Sequence, residues 1–406
     1  MSQSGPVLSI VIPTRNRANY AIATIKGILR ISSSRLELVI QDSSDTRTLE
    51  ELINSSISDS RLRYNYSEPP VSAVANFNIA ANMARGEYVC FIGDDDGVSP
   101  EIIQAAIWAK ANGLDAVRPN LVANYFWPDM CVHAGLERIA GKLFILNFSG
   151  KVTFPVADIE ARKCVHHGGL NYLDTKLPKI YHGIIRKKCL DKVRSLTGEH
   201  FKGLSPDIFG AFAVSNFVTR MCAIDYPLTI SGTSFLSGAG DSAAGKHKGR
   251  LEDAPQLRDR YDYQWDVLIP RLYSVQTIWA ESAVVALRET NRIDLLNEFN
   301  LPLLYAQCVT SHLEFTRIIV SNMYRAFSLM NEGYLTGSAK FLYCMAAIFV
   351  KRVVNSFVYR IRTRFSKNIH EIDGLANIEE AMNALEAYLA ENNYRFESFQ
   401  GVHVEN

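Results

Sequence analysis

The sequence predicts an α/β protein in which a doubly wound, mainly parallel sheet is followed by a C-terminal α-helical domain. Two observations lead to this prediction. Short apolar runs rich in β-branched residues alternate with segments of helical spacing through about the first hundred residues. Parallel neighbours in a sheet need crossover helices, and such an alternation supplies them. From Pro255 onward, apolar residues recur over most of the length at the spacing of amphipathic helices.

The predicted elements follow one another in a regular order at the N-terminal end. The run "VLSIVI" predicts the first strand, and "LELVIQD", "LRYNYSE" and "EYVCFIGDDDG" predict three more. Helices are predicted between them for "RANYAIATIKGILRI", "TLEELINSSI" and "AVANFNIAANMARG", the last of which stops at Gly86. In open parallel sheets, ligands bind at the carboxyl ends of the strands, where Thr14, Asp42 and Asp94 to Asp96 fall. The sequence therefore predicts one binding site at this edge.

The rest of the chain divides into an irregular middle and a helical end. The middle holds short strand-like runs, a helix predicted from Pro206 to Ser215, and a Gly/Ser-rich passage at 231–249 that predicts a flexible loop. Loops of this kind often act as lids over a site. We predict a catalytic domain at 1–250 and a helical domain at 251–406 that serves membrane docking, oligomerisation or acceptor recognition.

Composition excludes several classes of protein. The 406 residues include 43 Lys and Arg against 42 Asp and Glu, so a formal charge of +1 gives no basis for nucleic-acid binding through overall charge. Seven scattered cysteines contain no CxxC pair, which predicts reduced thiols rather than a metal or redox motif. The N-terminal segment lacks the features of a signal peptide, and no apolar run reaches the length of a spanning helix. We therefore expect a cytoplasmic protein.

The acid cluster Asp94-Asp95-Asp96, between Gly93 and Gly97, is the most informative feature of the sequence. Three successive carboxylates repel one another, and a divalent cation offsets that repulsion most easily. Hard oxygen ligands favour Mg²⁺, Mn²⁺ or Ca²⁺, and a site with few side chains leaves room for a diphosphate. A solvated acidic turn is the alternative, because charge runs usually face water. The position of the cluster at a strand end favours the cation site.

The segments "LSIVIPTRNRANY", "LELVIQDSSD" and "NFNIAANMARGEYVCFIGDDDGVSPEII" resemble the family 2 glycosyltransferases, inverting enzymes of the GT-A fold. Fainter matches at "YHGIIRKKCL" and "GLSPDIFGAF" extend the resemblance over about residues 6 to 245. It implies a Rossmann-like GT-A domain, a nucleotide-sugar donor, and Mn²⁺ or Mg²⁺ as cofactor. It also implies a glycan or lipid-linked glycan as acceptor, in the synthesis of a bacterial surface polysaccharide such as O-antigen or capsule.

The resemblance also implies roles for individual residues. The nucleobase and ribose would be held by the residues after the first two strands and by one helix residue, namely Pro13, Thr14, Arg15, Asp42 and Asn78. The acid cluster would be the DXD motif, with Asp94 near the ribose, Asp95 as principal metal ligand and Asp96 supporting it. Gly93 replaces the usual first aspartate, so a register of Asp94-x-Asp96 stays open. Phe77 stands where many members carry arginine, which leaves dTDP-sugar as an alternative to UDP-sugar.

Two further residues are candidates for the chemistry. Transfer needs a carboxylate that takes the proton of the acceptor hydroxyl, and the resemblance matches Asp207 in "LSPDIFGAF" to this base. Asp207 also suits a first-turn acid that stabilises a helix dipole. His247, between two lysines of the Gly-rich loop, would bind the metal or the diphosphate by resemblance, and a solvated loop residue is the alternative.

The helical tail contains one unusual stretch. Between Gly333 and His370 there is no Asp or Glu. Seven cations lie there among aromatic and aliphatic residues: Lys340, Lys351, Arg352, Arg360, Arg362, Arg364 and Lys367. A basic amphipathic segment is typical of contact with an anionic membrane, here the inner face of the cell membrane. A solvated face of a core helix and a homo-oligomer interface are the alternatives.

Together these features predict an inverting, metal-dependent glycosyltransferase that takes a sugar from a nucleotide-sugar. The alternative from a different class is a non-catalytic nucleotide-sugar-binding or scaffold protein of the same fold, against which the retained acids argue. A sugar nucleotidyltransferase is a second enzymatic alternative. That class needs a Gly-rich loop after the first strand, and "IPTRNRANY" contains no glycine.

Overall fold

The computed structural model describes residues 5–132, 135–237, 248–257, 260, 262–330, 333–362 and 369–396. The strands are β1 (Leu8–Thr14), β2 (Leu36–Asp42), β3 (Leu62–Tyr66), β4 (Tyr88–Phe91), β5 (Gly97–Val98), β6 (Ala116–Pro119), β7 (Ala123–Phe126), β8 (Lys142–Leu146), β9 (Val152–Thr153), β10 (Ile184–Arg186), β11 (Met221–Ile224), β12 (Thr229–Thr233), β13 (Lys248–Gly249), β14 (Tyr273–Ser274) and β15 (Ile369–Ile372).

The helices are α1 (Ala18–Leu29), α2 (Thr48–Ser56), α3 (Ala73–Met83), α4 (Ile102–Ala111), α5 (Ala157–Val165), α6 (Lys187–Thr197), α7 (Pro206–Ser215), α8 (Val275–Glu289), α9 (Ile293–Asn297), α10 (Leu301–Ser311), α11 (Thr316–Leu329), α12 (Tyr334–Arg362) and α13 (Ile378–Glu391). The strand and helix alternation predicted for the first hundred residues is confirmed. The predominance of helices after residue 255 is confirmed as well.

The main sheet has eight strands in the order β3-β2-β1-β4-β10-β6-β11-β9. β1 pairs in parallel with β2 and β4, and β2 pairs in parallel with β3, as crossover helices require. β10 enters antiparallel between β4 and β6. A second sheet has the order β15-β8-β7-β12-β5 and lies over the carboxyl end of β4 through β5 and β12. The predicted doubly wound, mainly parallel sheet is therefore confirmed.

Both faces of the main sheet are buried, which explains why its strands are almost continuously apolar. Val11 and Val39 face a core shared with α3, α7, α8 and α10. Ile10 and Ile12, which alternate with Val11 along β1, face the other core with α1, α4 and α13. Within the helical part, α8 and α10 thus pack on one face of the sheet, and α13 packs on the other.

The C-terminal residues return to the N-terminal part of the molecule. β15 pairs with β8 in the second sheet, a strand that the helical pattern did not predict. α13 packs on α1 and β5, and Met382 fills the space over two glycines. A Cβ placed on Gly27 would lie 2.7 Å from Met382 Sδ, and one on Gly97 would lie 2.8 Å from Met382 Cγ. The end of the predicted second domain is therefore part of the core of the first.

None of the helices in the described ranges is long and apolar enough to cross a membrane. In α12, however, several large apolar side chains are exposed near Lys340 and Lys351. They are Leu335, Leu342, Tyr343, Phe349 and Val350. Arg360 and Arg362 lie at the end of α12, and Arg364 and Lys367 lie outside the described residues.

Candidate active site

The turn after β4, here called the acid turn, consists of Asp94, Asp95 and Asp96, and all three side chains are buried. Its backbone is held from two sides. Thr24 Oγ1 donates to the carbonyl of Asp94 at 2.8 Å, and the Trp127 indole nitrogen donates to the carbonyl of Asp95 at 3.0 Å. A turn with its carboxylates buried and its carbonyls bonded is not an acidic surface loop. The solvated-turn alternative is therefore excluded.

The guanidinium of Arg17 bridges two of the three carboxylates. Its Nε lies 2.6 Å from Asp94 Oδ1, and its Nη2 lies 2.7 Å from Asp95 Oδ2. The same Nη2 donates to Ser234 Oγ at 2.8 Å, and this hydroxyl donates to Asp95 Oδ2 at 2.6 Å. The Arg17 side chain is 13% exposed, so the ion pairs lie almost out of water. The acid turn is therefore already bound to one cationic group of the protein, the guanidinium of Arg17.

Burial and the ion pairs have opposite effects on the pKa values of Arg17, Asp94 and Asp95. Burial disfavours the charged guanidinium, yet Asp94 and Asp95 together raise the pKa of Arg17 above its usual value. Burial raises the pKa of Asp95 to about 7, against the opposing effect of Arg17. Burial likewise raises the pKa of Asp94, which Arg17 and Thr14 oppose. These shifts are typical of a functional site rather than a surface ion pair.

Asp96 is occupied by bonds within the protein. Tyr181 Oη and the Gly93 N–H each donate to its Oδ2 at 2.6 Å, and the Gly232 N–H donates to its Oδ1 at 2.7 Å. His182 Nε2 lies 3.4 Å from Oδ2. A carboxylate has about four acceptor positions, so little capacity is left for a metal ion. The role of Asp96 as a supporting metal ligand stays a prediction. Of the three carboxylates, Asp94 and Asp95 are better placed than Asp96 to bind a cation.

The predicted donor residues at the ends of β1 and β2 lie next to the acid turn. Thr14 Oγ1 donates to Asp94 Oδ2 at 2.5 Å. Asp42 is fully buried and accepts from the Ser44 N–H and from Tyr64 Oη, each at 2.9 Å. Pro13 is half-buried within β1. The predicted convergence of these side chains on one edge of the sheet is therefore what the structure shows.

Arg15 and Asn78 point in other directions. Arg15 Nη2 lies 3.4 Å from Asp45 Oδ1 on the loop after β2. The Asn78 amide makes two bonds to the backbone of Phe201: Nδ2 donates to its carbonyl at 2.9 Å, and Oδ1 accepts from its N–H at 3.0 Å. Asn78 thereby connects α3 to the loop that leads into α7. Its role in donor binding stays a prediction.

One more residue of the site, Asn76, escaped the sequence reasoning besides Arg17 and Ser234. Asn76 Nδ2 donates to the carbonyl of Thr14 at 3.0 Å, and its Oδ1 is buried without a partner among the described residues. Phe77, where relatives were expected to carry arginine, stacks on Phe91 with ring centroids 5.5 Å apart. In the sequence, Asn76 could have been identified by its position two residues before Asn78, on the helix that flanks the site.

Asp207 is the second residue of α7 and follows the predicted Pro206 at the first position. Ser205 Oγ donates to its Oδ1. Burial raises the pKa of Asp207, while Ser205 and the backbone amides of Ile208 and Asp207 lower it. The carboxylate therefore has the first-turn position that suits the helix dipole and also the desolvated position that suits a base. Both interpretations stay open on geometry alone.

The predicted metal ligand His247 lies outside the described residues, as does most of the Gly/Ser-rich loop. Within the parts of the chain that the structure describes, no group of three His, Cys, Asp or Glu side chains is arranged to hold a metal ion. A cavity of about 550 Å³ opens beside Arg17 between the loops that follow β1 and β2. Tyr20, Trp127 and Asp129 line its far side.

Comparison with known proteins finds similarity in the N-terminal part of the chain. Residues 9–125 match the family model of glycosyl transferase family 2. The Escherichia coli (strain K12) protein WcaA, named as a glycosyl transferase of colanic acid biosynthesis, is 35% identical over 100 residues, which are 24% of this chain and 36% of that relative. A Campylobacter jejuni relative, named GalNAc(5)-diNAcBac-PP-undecaprenol beta-1,3-glucosyltransferase, is 34% identical over 98 residues, which are 22% of this chain and 30% of that relative.

The matches to curated relatives are confined to a part of each protein, between 13% and 40% of its length among those compared. Among solved structures, S. aureus TarS 1-349 in complex with UDP-GlcNAc is similar at 17% sequence identity and a TM-score of 0.44. That match covers 83% of this chain and 79% of TarS 1-349.

Proposed function

We propose, from the premise that residues 9–125 of this chain belong to glycosyl transferase family 2, that the protein is an inverting glycosyltransferase. It would move a sugar from a nucleotide-sugar to a hydroxyl group of a glycan or lipid-linked glycan. The observation that supports this proposal most is the acid turn: within the matched segment, Asp94 and Asp95 are buried and held at the carboxyl edge of the sheet by Arg17 and Thr14. That edge is where open α/β sheets bind nucleotides.

The donor is proposed to be a UDP-sugar, with a dTDP-sugar as the second choice. Pro13, Thr14 and Asp42 lie at the ends of β1 and β2, and Arg15 follows β1; the loops after these two strands line the 550 Å³ cavity. Asp42 is a buried acceptor that a pyrimidine N–H or a ribose hydroxyl could use, and Thr14, its neighbour across the sheet, connects it to Asp94 of the acid turn. In this arrangement the nucleoside would lie over β1 and β2 and the diphosphate next to Arg17.

Asp94 and Asp95 fit a divalent cation, because the same two carboxylates already bind a cationic group, the guanidinium of Arg17. Both are hard oxygen donors, which suit Mn²⁺ or Mg²⁺. When bound, such an ion supplies positive charge that stabilises the charge developing on the leaving diphosphate. Asp96 is less suited, since its oxygens accept from Tyr181, Gly93 and Gly232.

Asp207 is proposed as the base of the reaction. The acceptor oxygen forms a bond to the anomeric carbon while the bond from that carbon to the diphosphate oxygen breaks on the opposite face, which inverts the configuration. The hydroxyl proton passes to the Asp207 carboxylate, and the nucleoside diphosphate leaves as the anion. Burial, which raises the pKa of Asp207, makes its ionised form a stronger proton acceptor than a solvated aspartate.

The acceptor is proposed to belong to a bacterial surface polysaccharide. The Escherichia coli relative is named for colanic acid biosynthesis, and the Campylobacter jejuni relative is named for a sugar chain on undecaprenyl diphosphate. Both similarities lie in the N-terminal part, so the acceptor and the linkage rest on this proposal alone.

A contact with the inner face of the cell membrane is proposed for α12. Leu342, Tyr343 and Phe349 are 64%, 75% and 68% exposed, and Lys340 and Lys351 flank them. Exposed apolar side chains next to lysines suit the headgroup region of an anionic bilayer. Sedimentation with vesicles that contain phosphatidylglycerol tests this contact. A homo-oligomer that forms without lipid through the same face would contradict it.

The experiment that tests the function combines binding with turnover. Wild-type protein is screened by thermal shift with UDP- and dTDP-sugars in the presence of Mn²⁺, because a ligand of the native state raises Tm. Release of nucleoside diphosphate is then measured for the sugar that binds. Asp207→Asn is expected to lower turnover by about 100-fold or more while it keeps donor binding. Asp262→Asn, at an exposed position away from the acids that act on the site, is the control and is expected to keep turnover.

The outcomes separate the alternatives. Near-normal turnover in Asp207→Asn would leave Asp207 with the helix-dipole role only. Binding of a nucleotide-sugar without transfer or hydrolysis would favour the non-catalytic binding protein.

A further inference from the structure

Three buried polar side chains beside Asp207 take no part in the steps described so far. They are Arg118 at the carboxyl end of β6, and Tyr172 and Lys179 in the segment between α5 and β10; they are here called the cationic cluster. Arg118 and Lys179 are each 7% exposed, and Tyr172 is 2% exposed. The Lys179 ammonium lies 5.1 Å from the centre of the Tyr172 ring. Burial and Asp207 raise the pKa of Tyr172, and Asp207 opposes the lowering of the pKa of Lys179 by burial, so Asp207 lies within electrostatic range of both side chains.

The hydrogen-bonding groups of the cluster are only partly used. Arg118 donates to two neutral oxygens, Asn120 Oδ1 at 2.9 Å and the Leu173 carbonyl at 3.2 Å. Its Nε is buried without a partner, and so is the hydroxyl of Tyr172, among the residues that the structure describes. Three kinds of donor, a guanidinium, a hydroxyl and an ammonium, are therefore gathered in one place with donor capacity left over.

The cluster also lacks a matching negative charge. No ion pair within the described ranges includes Arg118 or Lys179 at a distance where a salt bridge forms. Burial, and then Arg118, lower the pKa of Lys179 to about 8, and Asp207 and Asp174 only partly oppose this. Buried cations without a bonded carboxylate are unfavourable in the free protein. Groups kept at such a cost are typical of a site that a ligand completes.

The cluster faces the base rather than the donor end of the site. The acids that act on Lys179 are Asp207 and Asp174, and none belongs to the acid turn. His182 lies between the two regions: its Nε2 is 3.4 Å from Asp96, and Lys179 contributes to the lowering of its pKa. An anion bound at the cluster would therefore lie on the side where the acceptor hydroxyl approaches Asp207.

We infer that Arg118, Tyr172 and Lys179 form a subsite for an oxyanion, a phosphate or a carboxylate, carried by the acceptor next to its reacting hydroxyl. This inference rests on the proposed function, because it takes Asp207 as the base. Two cations and a phenol can bind an oxyanion through charge-assisted hydrogen bonds, and an arginine fork suits both chemistries. The acceptor class that follows is a negatively charged glycan, such as one with a phosphodiester or a uronic acid.

The test uses the full chain and two simple probes, inorganic phosphate and glucuronate, titrated by calorimetry against wild type, Lys179→Met and Arg118→Gln. Wild type is expected to bind at least one probe, and both variants are expected to bind it at least tenfold more weakly. Lys192→Met is the matched control, since Lys192 also lies over an aromatic ring, at 5.7 Å from Phe217, but is exposed. The probe that binds distinguishes the phosphate source from the carboxylate source.

Binding of UDP is measured in the same proteins to separate the donor from the acceptor side. UDP affinity is expected to be the same in wild type, Lys179→Met and Arg118→Gln. An equal loss of UDP affinity in both variants would assign the cluster to the donor diphosphate and overturn the inference, as would a wild type that binds neither probe. A wild type that binds the oxyanion but no nucleotide would contradict the proposed function and not the subsite.

Stability gives a second readout that a structural role would not reproduce. The ligand-free Lys179→Met variant is expected to melt at or above the Tm of wild type, because it removes an unpaired buried charge and keeps the apolar stem. A clear fall in Tm with unchanged oxyanion affinity would show that Lys179 serves packing and would overturn the inference.

Discussion

Arg17 is the residue on which the charge balance of the acid turn depends. Three carboxylates lie within one buried turn, and the sequence alone suggested that a divalent cation offsets their repulsion. In the structure a single guanidinium binds two of them, at 2.6 and 2.7 Å. The Arg17 bond to Ser234 joins positions 217 residues apart, so no local pattern could have predicted it. Any cation that binds Asp94 and Asp95 must therefore compete with Arg17.

This competition leads to a prediction for Arg17→Gln. In the absence of nucleotide, the variant is expected to bind Mn²⁺ more tightly than wild type, by about tenfold or more, since one net negative charge is restored to a buried site. Calorimetric titration or electron paramagnetic resonance of free Mn²⁺ measures the change. Arg47→Gln, which removes an exposed arginine paired with Glu50 and Glu68, is the control and should leave Mn²⁺ affinity unchanged. Equal Mn²⁺ affinity in wild type and Arg17→Gln would show that the two carboxylates do not form a cation site.

Glu281 gives a prediction about pH. It is fully buried in α8, and burial raises its pKa to about 8, with Asp266 adding to the rise and Tyr263 and Arg260 opposing it. In the unfolded chain a glutamate has a pKa of about 4.3. Between these two values the folded protein keeps a proton that the unfolded chain loses. Stability from this group is therefore present at low pH and falls as pH rises toward 8.

Glu281→Gln keeps an oxygen for the Tyr263 hydroxyl and cannot ionise. Relative to wild type, the variant is expected to gain about 1 kcal/mol of unfolding free energy for each unit of pH between about 5 and 8. Urea unfolding at pH 5.5, 6.5 and 7.5 measures this gain. Parallel pH profiles for the two proteins would show that Glu281 is ionised in the folded state.

At the scale of single residues, the sequence predicted the acids of the site well and their partners poorly. Thr14, Asp42 and Asp94 were predicted because strand ends in a parallel sheet must meet at one edge. Their neighbours come from other parts of the fold: Ser234 follows a strand of the second sheet, and Asn76 projects from a helix. Such contacts depend on tertiary packing, which periodicity does not contain.

At the scale of elements, α8 holds the loop that leads to the proposed base. Ser282 Oγ is buried and accepts from the Leu204 N–H at 3.2 Å and from the Ser205 N–H at 2.9 Å. Arg260 Nη1 donates to the Gly203 carbonyl at 2.5 Å. α8 belongs to the predicted helical domain, so that part of the chain contributes directly to the placement of α7.

Ser282→Ala tests whether this support matters for turnover. The change leaves two buried amides without their acceptor, which costs about 1–3 kcal/mol. We expect a lower kcat with UDP affinity unchanged, because the loop next to Asp207 loosens while the acid turn is untouched. Ser195→Ala is the control, since Ser195 is exposed on α6 and donates only to a carbonyl of its own helix. Wild-type kcat in Ser282→Ala would show that the loop is held sufficiently by other contacts.

Several of the strands that the sequence missed are short and lack a period of their own. β5, β9 and β13 have two residues each, and β15 has four residues among charged neighbours. Strands of this length bury too few side chains to leave an alternating pattern. The main-sheet strands β1 and β2 have seven residues each, buried on both faces, and they were predicted without difficulty.

At the scale of the whole molecule, the C-terminal helix α13 packs against the first helix, α1. α13 lies about 350 residues after α1 in the sequence, yet the two helices pack together over the same core. Ile378, Ala381 and Leu385 of α13 are fully buried there. α12, the preceding helix, leaves large apolar side chains exposed instead. The two helices therefore differ in their contacts: α13 stabilises the N-terminal part of the molecule, and α12 leaves an apolar surface exposed.

Two leucine substitutions test separately the stabilising contact of α13 and the proposed surface contact of α12. Leu385→Ala removes a fully buried side chain from the core of α1 and α13 and is expected to cost about 2–5 kcal/mol, with a single unfolding transition that UDP still shifts upward. Leu342→Ala, at a position 64% exposed on α12, is expected to change stability by less than about 0.5 kcal/mol and to weaken binding to anionic vesicles. Chemical unfolding and vesicle sedimentation measure the two effects in both variants. If Leu385→Ala produced a separate early transition that UDP did not shift, α13 would belong to an independent helical domain, because a helix packed on α1 must unfold with the strands of the proposed donor site.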